Sequence, residues 1–232
     1  MQTVSNKKKH TNYRPEIDGL RAVAVLAVVF YHAGLGCKGG FVGVDVFFVI
    51  SGFLITGIII RDLEANNFSL TDFWERRVRR IFPALFACVS ITLTSAYFLL
   101  LPKHLIATSK AVVAQTFFSS NIYFWRTTNY FDGGNEEKPL LHTWSLSVEE
   151  QFYVVVPLIL MLFFRFRSLS TTRSLICNAG LAAVASFALS IWGVIQQPFA
   201  TFFLLPTRAW ELLSGSIVAL VAAHTSPTRG LT

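Results

Sequence analysis

The sequence predicts an all-α membrane protein: a polytopic transmembrane helical bundle of about six spans, with one further segment, 105–125, that packs at the membrane without crossing it. Three observations predict it. Hydrophobic residues make up 53% of the 232-residue chain and charged residues only 14%, whereas a soluble domain carries about 25% charge to solvate its surface. The mean hydropathy is +0.53. The apolar residues are also gathered into long stretches, and crossing the hydrocarbon core takes about 20 of them in a helix. These features argue against a soluble enzyme, a disordered chain and a disulfide scaffold.

The expected spans are 20–36, 41–60, 81–101, 146–164, 175–195 and 204–223. The first is short and is extended by flanking aromatic and glycine residues. Its Lys-rich front imitates a signal peptide, but Asp18, Arg21 and His32 bracket or interrupt the apolar run and no small-residue cleavage site follows. It reads as a retained signal-anchor. Segment 105–125 is weaker, because Lys110, Gln115 and Asn121 interrupt it.

The basic residues decide its status. Lys7, Lys8, Lys9, Arg14 and Arg21 lie before or at the first span, Arg61, Arg76, Arg77, Arg79 and Arg80 in 61–80, and Arg165, Arg167 and Arg173 in 165–173. Cytoplasmic connections collect such charges, so all three regions want one side. That requires an even number of spans between residues 81 and 164, and counting 105–125 as a span breaks the pattern. A polar segment survives at membrane depth when protein packs around it or when it lines a cavity. On this reading the basic residues of these three regions and Arg229 put 14 of the 20 basic residues on the cytoplasmic side. Residues 1–19 form a cytoplasmic amino tail, 20–223 the membrane domain and 224–232 a second tail, with both ends inside.

The net charge of +7 is thus explained by membrane sidedness rather than by nucleic acid. Cys37, Cys88 and Cys177 are isolated, with no metal-ligand spacing, and read as small buried hydrophobes. Gly34-Leu35-Gly36-Cys37-Lys38-Gly39 fits GxGxxG but follows no strand, so the dinucleotide reading lacks its context. Ser51 with His32 and Asp45 suggests a hydrolase triad, but no GxSxG elbow is present.

Ionisable residues within spans are costly and point to function by default. Arg21 and His32 are eleven apart, which places them about 20° from each other on one helix face and about 16 Å apart along it. Asp18 falls near the same stripe. A cation at the cytoplasmic mouth and an imidazole near mid-membrane suit an anionic donor and proton transfer; snorkelling by Arg21 and a helix–helix hydrogen bond from His32 explain the same residues structurally. The run Glu75-Arg76-Arg77-Val78-Arg79-Arg80 offers guanidinium forks that match phosphate oxygens, or else anchors the topology. In Trp144-Ser145-Leu146-Ser147-Val148-Glu149-Glu150-Gln151-Phe152-Tyr153, Glu149 and Tyr153 share a face at i, i+4. Glu149 could orient a histidine or receive a sugar hydroxyl, or the pair simply ends the helix at headgroup level. Asp45 lies in the second span, and Arg208 with Glu211 reads as a structural ion pair.

These blocks resemble the acyltransferase-3 family, integral membrane O-acyltransferases of the bacterial envelope. The resemblance runs from Tyr13 to about Leu220 through YRPEIDGLRAVAVLAVVFYHAG at 13–34, GGFVGVDVFFVISGFLIT at 39–56, FWERRVRRIFPAL at 73–85, LLHTWSLSVEEQFYVVVP at 140–157 and LPTRAWELLSG at 205–215. It implies that Arg21 and His32 are the family's Arg/Lys-x10-His motif, with His32 catalytic, and that Arg77 and Arg80 match an RxxR that helps hold acyl-CoA. It implies that Glu149 is the carboxylate of a WSL-x-x-E block, with Asp45 a supporting carboxylate and Ser51 in the same glycine-flanked block as Asp45. Family members also have a re-entrant segment after the third span.

The expected function is therefore transfer of an acyl group, with acetyl the first expectation, from cytoplasmic acyl-CoA to a hydroxyl of an envelope carbohydrate. Acyl-CoA is a co-substrate, and no tightly bound cofactor or metal is expected. The partners are the lipid bilayer, acyl-CoA and the carbohydrate, with no nucleic acid; the expected location is the bacterial inner membrane. O-antigen of lipopolysaccharide, peptidoglycan and exopolysaccharide all remain open as acceptors. Similar proteins have about ten spans, so the chain reads as the amino-terminal portion of a larger protein. A transporter, a lipid-handling subunit and an inactive fragment are the alternatives.

Overall fold

A computed structural model describes residues 14–128, 138–165 and 172–225. The expectations for the amino tail before Arg14, for Arg167 and for the carboxyl tail beyond Thr225 fall outside these residues, whereas 15–19 of the expected tail belong to a helix. The described residues are helical, as expected for the class, and divide into two units that meet in sequence between Phe47 and Phe48.

The first unit holds α1 (Pro15–His32), a short 3-10 turn at Gly40–Val42 and the start of α2 (Gly43–Glu64). Pro15 opens α1 where its missing N–H is harmless, and Glu16 and Asp18 favour the positive end of the helix dipole. The turn packs closely on α1. A Cβ on Gly40 would lie 2.0 Å from the Ala27 carbonyl oxygen, and one on Gly43 would lie 2.4 Å from that of Ala24.

Among the described residues, five helical stretches are long and apolar enough to cross a membrane: Gly40–Glu64, α3 (Leu70–Leu99), α6 (Thr143–Arg165), most of α7 (Thr172–Gln196), and α8 (Pro198–Phe203) together with α9 (Leu205–Thr225). The expected first span differs. It begins at Pro15 and ends at His32 instead of covering 20–36. Its 18 residues rise about 27 Å and carry Glu16, Asp18 and Arg21, so it falls short on composition.

The expected 61–80 connection is also corrected. Only Ala65–Ser69 lie between α2 and α3, and Arg76, Arg77, Arg79 and Arg80 ride on α3 itself. Ser69 caps that helix, its hydroxyl accepting from the Asp72 N–H at 3.3 Å. At 30 residues α3 rises about 45 Å, more than the roughly 30 Å hydrocarbon core, so its arginine-bearing first turns have room to project into headgroups. Arg76 reaches Asp62 at 3.8 Å, and Arg79 pairs with Glu75 at 2.7 Å.

Segment 105–125 is a broken helix. α4 (Pro102–Thr116) and α5 (Ser120–Thr127) are separated by a bend in which Phe118 takes φ 49°. Thr108, Gln115, Ser120 and Asn121 are buried. Of the polar interruptions that weakened it as a span, Gln115 and Asn121 are thus packed into protein, whereas Lys110 is exposed.

Elsewhere in the second unit α9 crosses α2 through two glycines. A Cβ on Gly52 would lie 1.8 Å from the Leu212 carbonyl oxygen, and one on Gly215 1.9 Å from that of Val49. Small residues let membrane helices approach to backbone contact, and Thr56 then donates to Ser216 at 2.8 Å across the crossing. Ser186 ties α7 to α9, donating to the Pro206 carbonyl at 2.7 Å and accepting from the Trp210 N–H at 3.0 Å.

Candidate functional site

The first unit carries Asp18, Arg21, His32 and Asp45. α1 is unbroken from Pro15 to His32, so the eleven-residue spacing does place Arg21 and His32 on one face. His32 is the last residue of the helix, and the chain turns away through Gly34 and Gly36, both at positive φ. The imidazole bonds within its own helix rather than to another. Its Nδ1 lies 2.9 Å from the Val28 carbonyl oxygen. A carbonyl only accepts, so Nδ1 carries the proton, and in the neutral ring Nε2 carries the lone pair. The Tyr31 ring meets the imidazole edge-on at 5.2 Å. Arg21 Nε is buried without a hydrogen-bond partner among the described residues, Asp18 is exposed, and Asp45 sits half-buried in the first turn of α2.

The second unit assembles around Glu149. Ser51 on α2 and Tyr153, one turn along α6, both donate to its Oε1. Sequence spacing anticipated Tyr153; Ser51, 98 residues away, left no local signal of the pairing. The Arg77 guanidinium lies over the Tyr153 ring at 4.8 Å and over Phe73 at 5.8 Å, so this arginine turns inward while Arg80, one turn on, is exposed. Adjacent Glu150 is half-buried, with Oε1 shielded and unbonded among the described residues.

A polar network fixes the broken helix to α6. Asn121 and Gln151 exchange side-chain amide bonds at 3.3 and 2.9 Å, and each also reaches a backbone carbonyl: Asn121 to Phe203 at 3.2 Å, Gln151 to Phe118 at 2.9 Å. Ser147 contacts Ser120 at 2.8 Å and donates to Gln115 at 3.2 Å. Sequence reading flagged Gln115 and Asn121 as interruptions but missed these partners. The expected Arg208–Glu211 ion pair is present at 2.8 Å, with the guanidinium over Trp144 and Phe202 at 5.6 and 5.3 Å. Among the described residues no cluster of His, Cys, Asp or Glu is arranged to hold a metal ion.

Three curated proteins are similar to the chain along most of its length. The peptidoglycan O-acetyltransferase OatA of Listeria monocytogenes is 38% identical over 214 residues, 90% of this chain and 34% of that protein. The putative peptidoglycan O-acetyltransferase YrhL of Bacillus subtilis is 36% identical over 228 residues, 93% of this chain and 34% of that protein. The O-acetyltransferase OatA of Staphylococcus aureus is 35% identical over 217 residues, 90% of this chain and 35% of that protein. The chain thus spans about a third of the length of the curated relatives it matches. No solved structure matches it. The acyltransferase domain model (Acyl_transf_3) matches residues 14–229, and with the helical membrane architecture and the ordered blocks that carry Arg21, His32, Arg77 and Glu149 this places the chain in the acyltransferase-3 family.

Proposed function

We propose that the chain is the membrane part of an O-acetyltransferase that moves an acetyl group from cytoplasmic acetyl-CoA to a hydroxyl of a cell-envelope carbohydrate, with peptidoglycan the first candidate. The observation that carries this reading is the His32 tautomer: with Nδ1–H committed to Val28, Nε2 is the basic nitrogen. Its relatives' activity on peptidoglycan supports the choice of acceptor. The reading also takes the amino terminus as cytoplasmic and the bacterial inner membrane as the location.

The chemistry is a general-base acyl transfer. Nε2 takes the proton of the acceptor hydroxyl as its oxygen attacks the thioester carbonyl carbon. The carbon–sulfur bond breaks, and the departing thiolate recovers that proton from the imidazolium. The products are an O-acetyl ester and free CoA. Arg21, Arg77 and Arg80 are the donor-binding residues of this reading, since guanidinium forks suit the phosphates of CoA. Asp45 and Glu149 are its supporting carboxylates.

The test uses the intact protein in its membrane. His32→Ala should lower the ester content of purified glycan, read by mass spectrometry after mild alkaline release, by at least about a hundredfold while the protein still inserts. Undiminished acetylation by that variant would overturn the assignment.

A further inference from the structure

Two aromatic rings stand beside the His32 imidazole in the first unit. Tyr31 precedes it on α1, and Phe41 lies in the 3-10 turn at Gly40–Val42. Gly40 sets their spacing. An added Cβ there would lie 2.0 Å from the Ala27 carbonyl oxygen and 2.8 Å from the Tyr31 Cβ, so glycine is what lets the turn come this close to α1. The two rings then meet edge to face, with centroids 5.5 Å apart and planes at 69°, within the range aromatic pairs prefer. Packing holds the rings without covering them: Tyr31 is 42% exposed and Phe41 53%. The connecting residues stand clear. Leu35 is exposed, and an added Cβ at Gly34, Gly36 or Gly39 would meet nothing within 4 Å.

The imidazole narrows what these rings meet. Its Nδ1–H is committed to the Val28 carbonyl one turn back, so Nε2, across the ring, faces away from the helix backbone. A hydroxyl that gives its proton to Nε2 sits about 2.6–3.2 Å from it. The rest of the molecule carrying that hydroxyl then lies against whatever flanks the imidazole, and the Tyr31 ring is 5.2 Å away, centre to centre. A pyranose with equatorial hydroxyls turns its axial C–H groups to the faces of the ring, and such an apolar face packs on an aromatic surface. An acyclic polyol carries similar hydroxyls but has no such face.

We propose that Tyr31 and Phe41 determine acceptor specificity: they form an aromatic platform on which a pyranose ring lies while one of its hydroxyls meets Nε2 of His32. The proposal rests on the acyltransferase reading for the reaction and adds the acceptor's chemical class, a cyclic sugar in place of an acyclic polyol. Proton transfer stays with His32. The platform contributes binding and orientation, and Tyr31 acts through its ring face and not through its hydroxyl.

The experiment uses the full-length protein in nanodiscs, where acetyl-CoA and soluble acceptors reach both faces. It compares acetyl transfer to an oligomer of N-acetylglucosamine and to ribitol. The oligomer should have the lower KM. Y31L/F41L keeps apolar bulk but removes both rings. It should raise the KM for the oligomer by about tenfold while the KM values for ribitol and acetyl-CoA hold, which erases the preference. Y31F keeps both rings and should rescue the low KM. F41L alone changes only the ring on the turn and should raise the KM by about threefold, so the proposal stays testable if the double variant fails to insert. An unchanged oligomer KM in F41L and Y31L/F41L, an equal rise for ribitol, or a loss in Y31F as large as in Y31L/F41L would overturn the platform. Binding of the oligomer without acetyl-CoA is measured in parallel by calorimetry. Ring-dependent binding without any transfer overturns the acyltransferase reading alone, and transfer with a ring-independent acceptor KM overturns the platform alone.

Discussion

Ser51 on α2 donates its hydroxyl to Oε1 of Glu149 on α6, and Tyr153 donates to the same oxygen. One carboxylate thus joins two membrane helices and satisfies two hydroxyls that burial would otherwise leave unmatched. Glu149→Ala should destabilise the protein by about 1–3 kcal/mol, because it orphans both donors. The doubly altered S51A/Y153F removes the donors instead and should leave the carboxylate the worse-off partner. Thermal unfolding of the purified protein in detergent reads both. A melting temperature unchanged by Glu149→Ala would refute the anchoring role.

The glycine crossing of α2 and α9 gives a steric prediction. Gly52→Ala and Gly215→Ala each drive a methyl into backbone at under 2 Å and should cost about 1–3 kcal/mol or more as the helices separate. Gly180, inside α7 with nothing within 4 Å of an added Cβ, is the control. Gly180→Ala should be neutral or stabilising by up to about 1 kcal/mol, since alanine is the better helix former. The contrast is measured on the same melting curves.

The Asn121–Gln151 amide exchange pins α5 to α6. Gln151→Leu removes the bonds to Asn121 and to the Phe118 carbonyl together. It should loosen the bend between α4 and α5, seen as faster hydrogen exchange over 115–127 with α7 unaffected. Uniform exchange changes along the chain would speak against a local pin.

Arg77 and Arg80 should separate in kinetics. Arg77 stacks on Tyr153 and Phe73, a planar contact lysine does not reproduce. Arg77→Lys should therefore lower both stability and acetyl-CoA affinity, whereas exposed Arg80→Lys should raise the KM for acetyl-CoA and leave melting unchanged. Equal melting losses in the two variants would contradict the inward placement of Arg77.

Much of the chain was legible because its evidence is local. The apolar runs of α2, α6, α7 and α9 are read directly from composition, and the Lys110, Gln115 and Asn121 interruptions fall in a segment that folds as two short helices instead of one of span length. The misreadings are local too. α1 starts at Pro15 and not at 20, and α3 starts at Leu70 and not at 81. In both places charged residues occupy regular helix turns, which hydropathy alone scores as a connection or ignores.

The sequence by itself determined the membrane class, the helices and the Arg21–His32 register, because each depends on residues a few turns apart in one segment. Only the tertiary structure decided that Ser51 answers Glu149, that Asn121 answers Gln151, and that Gly52 and Gly215 face backbone. Those pairings join residues from separate helices. Helical periodicity says which face a side chain occupies, and the packing of one helix on another decides what that face meets.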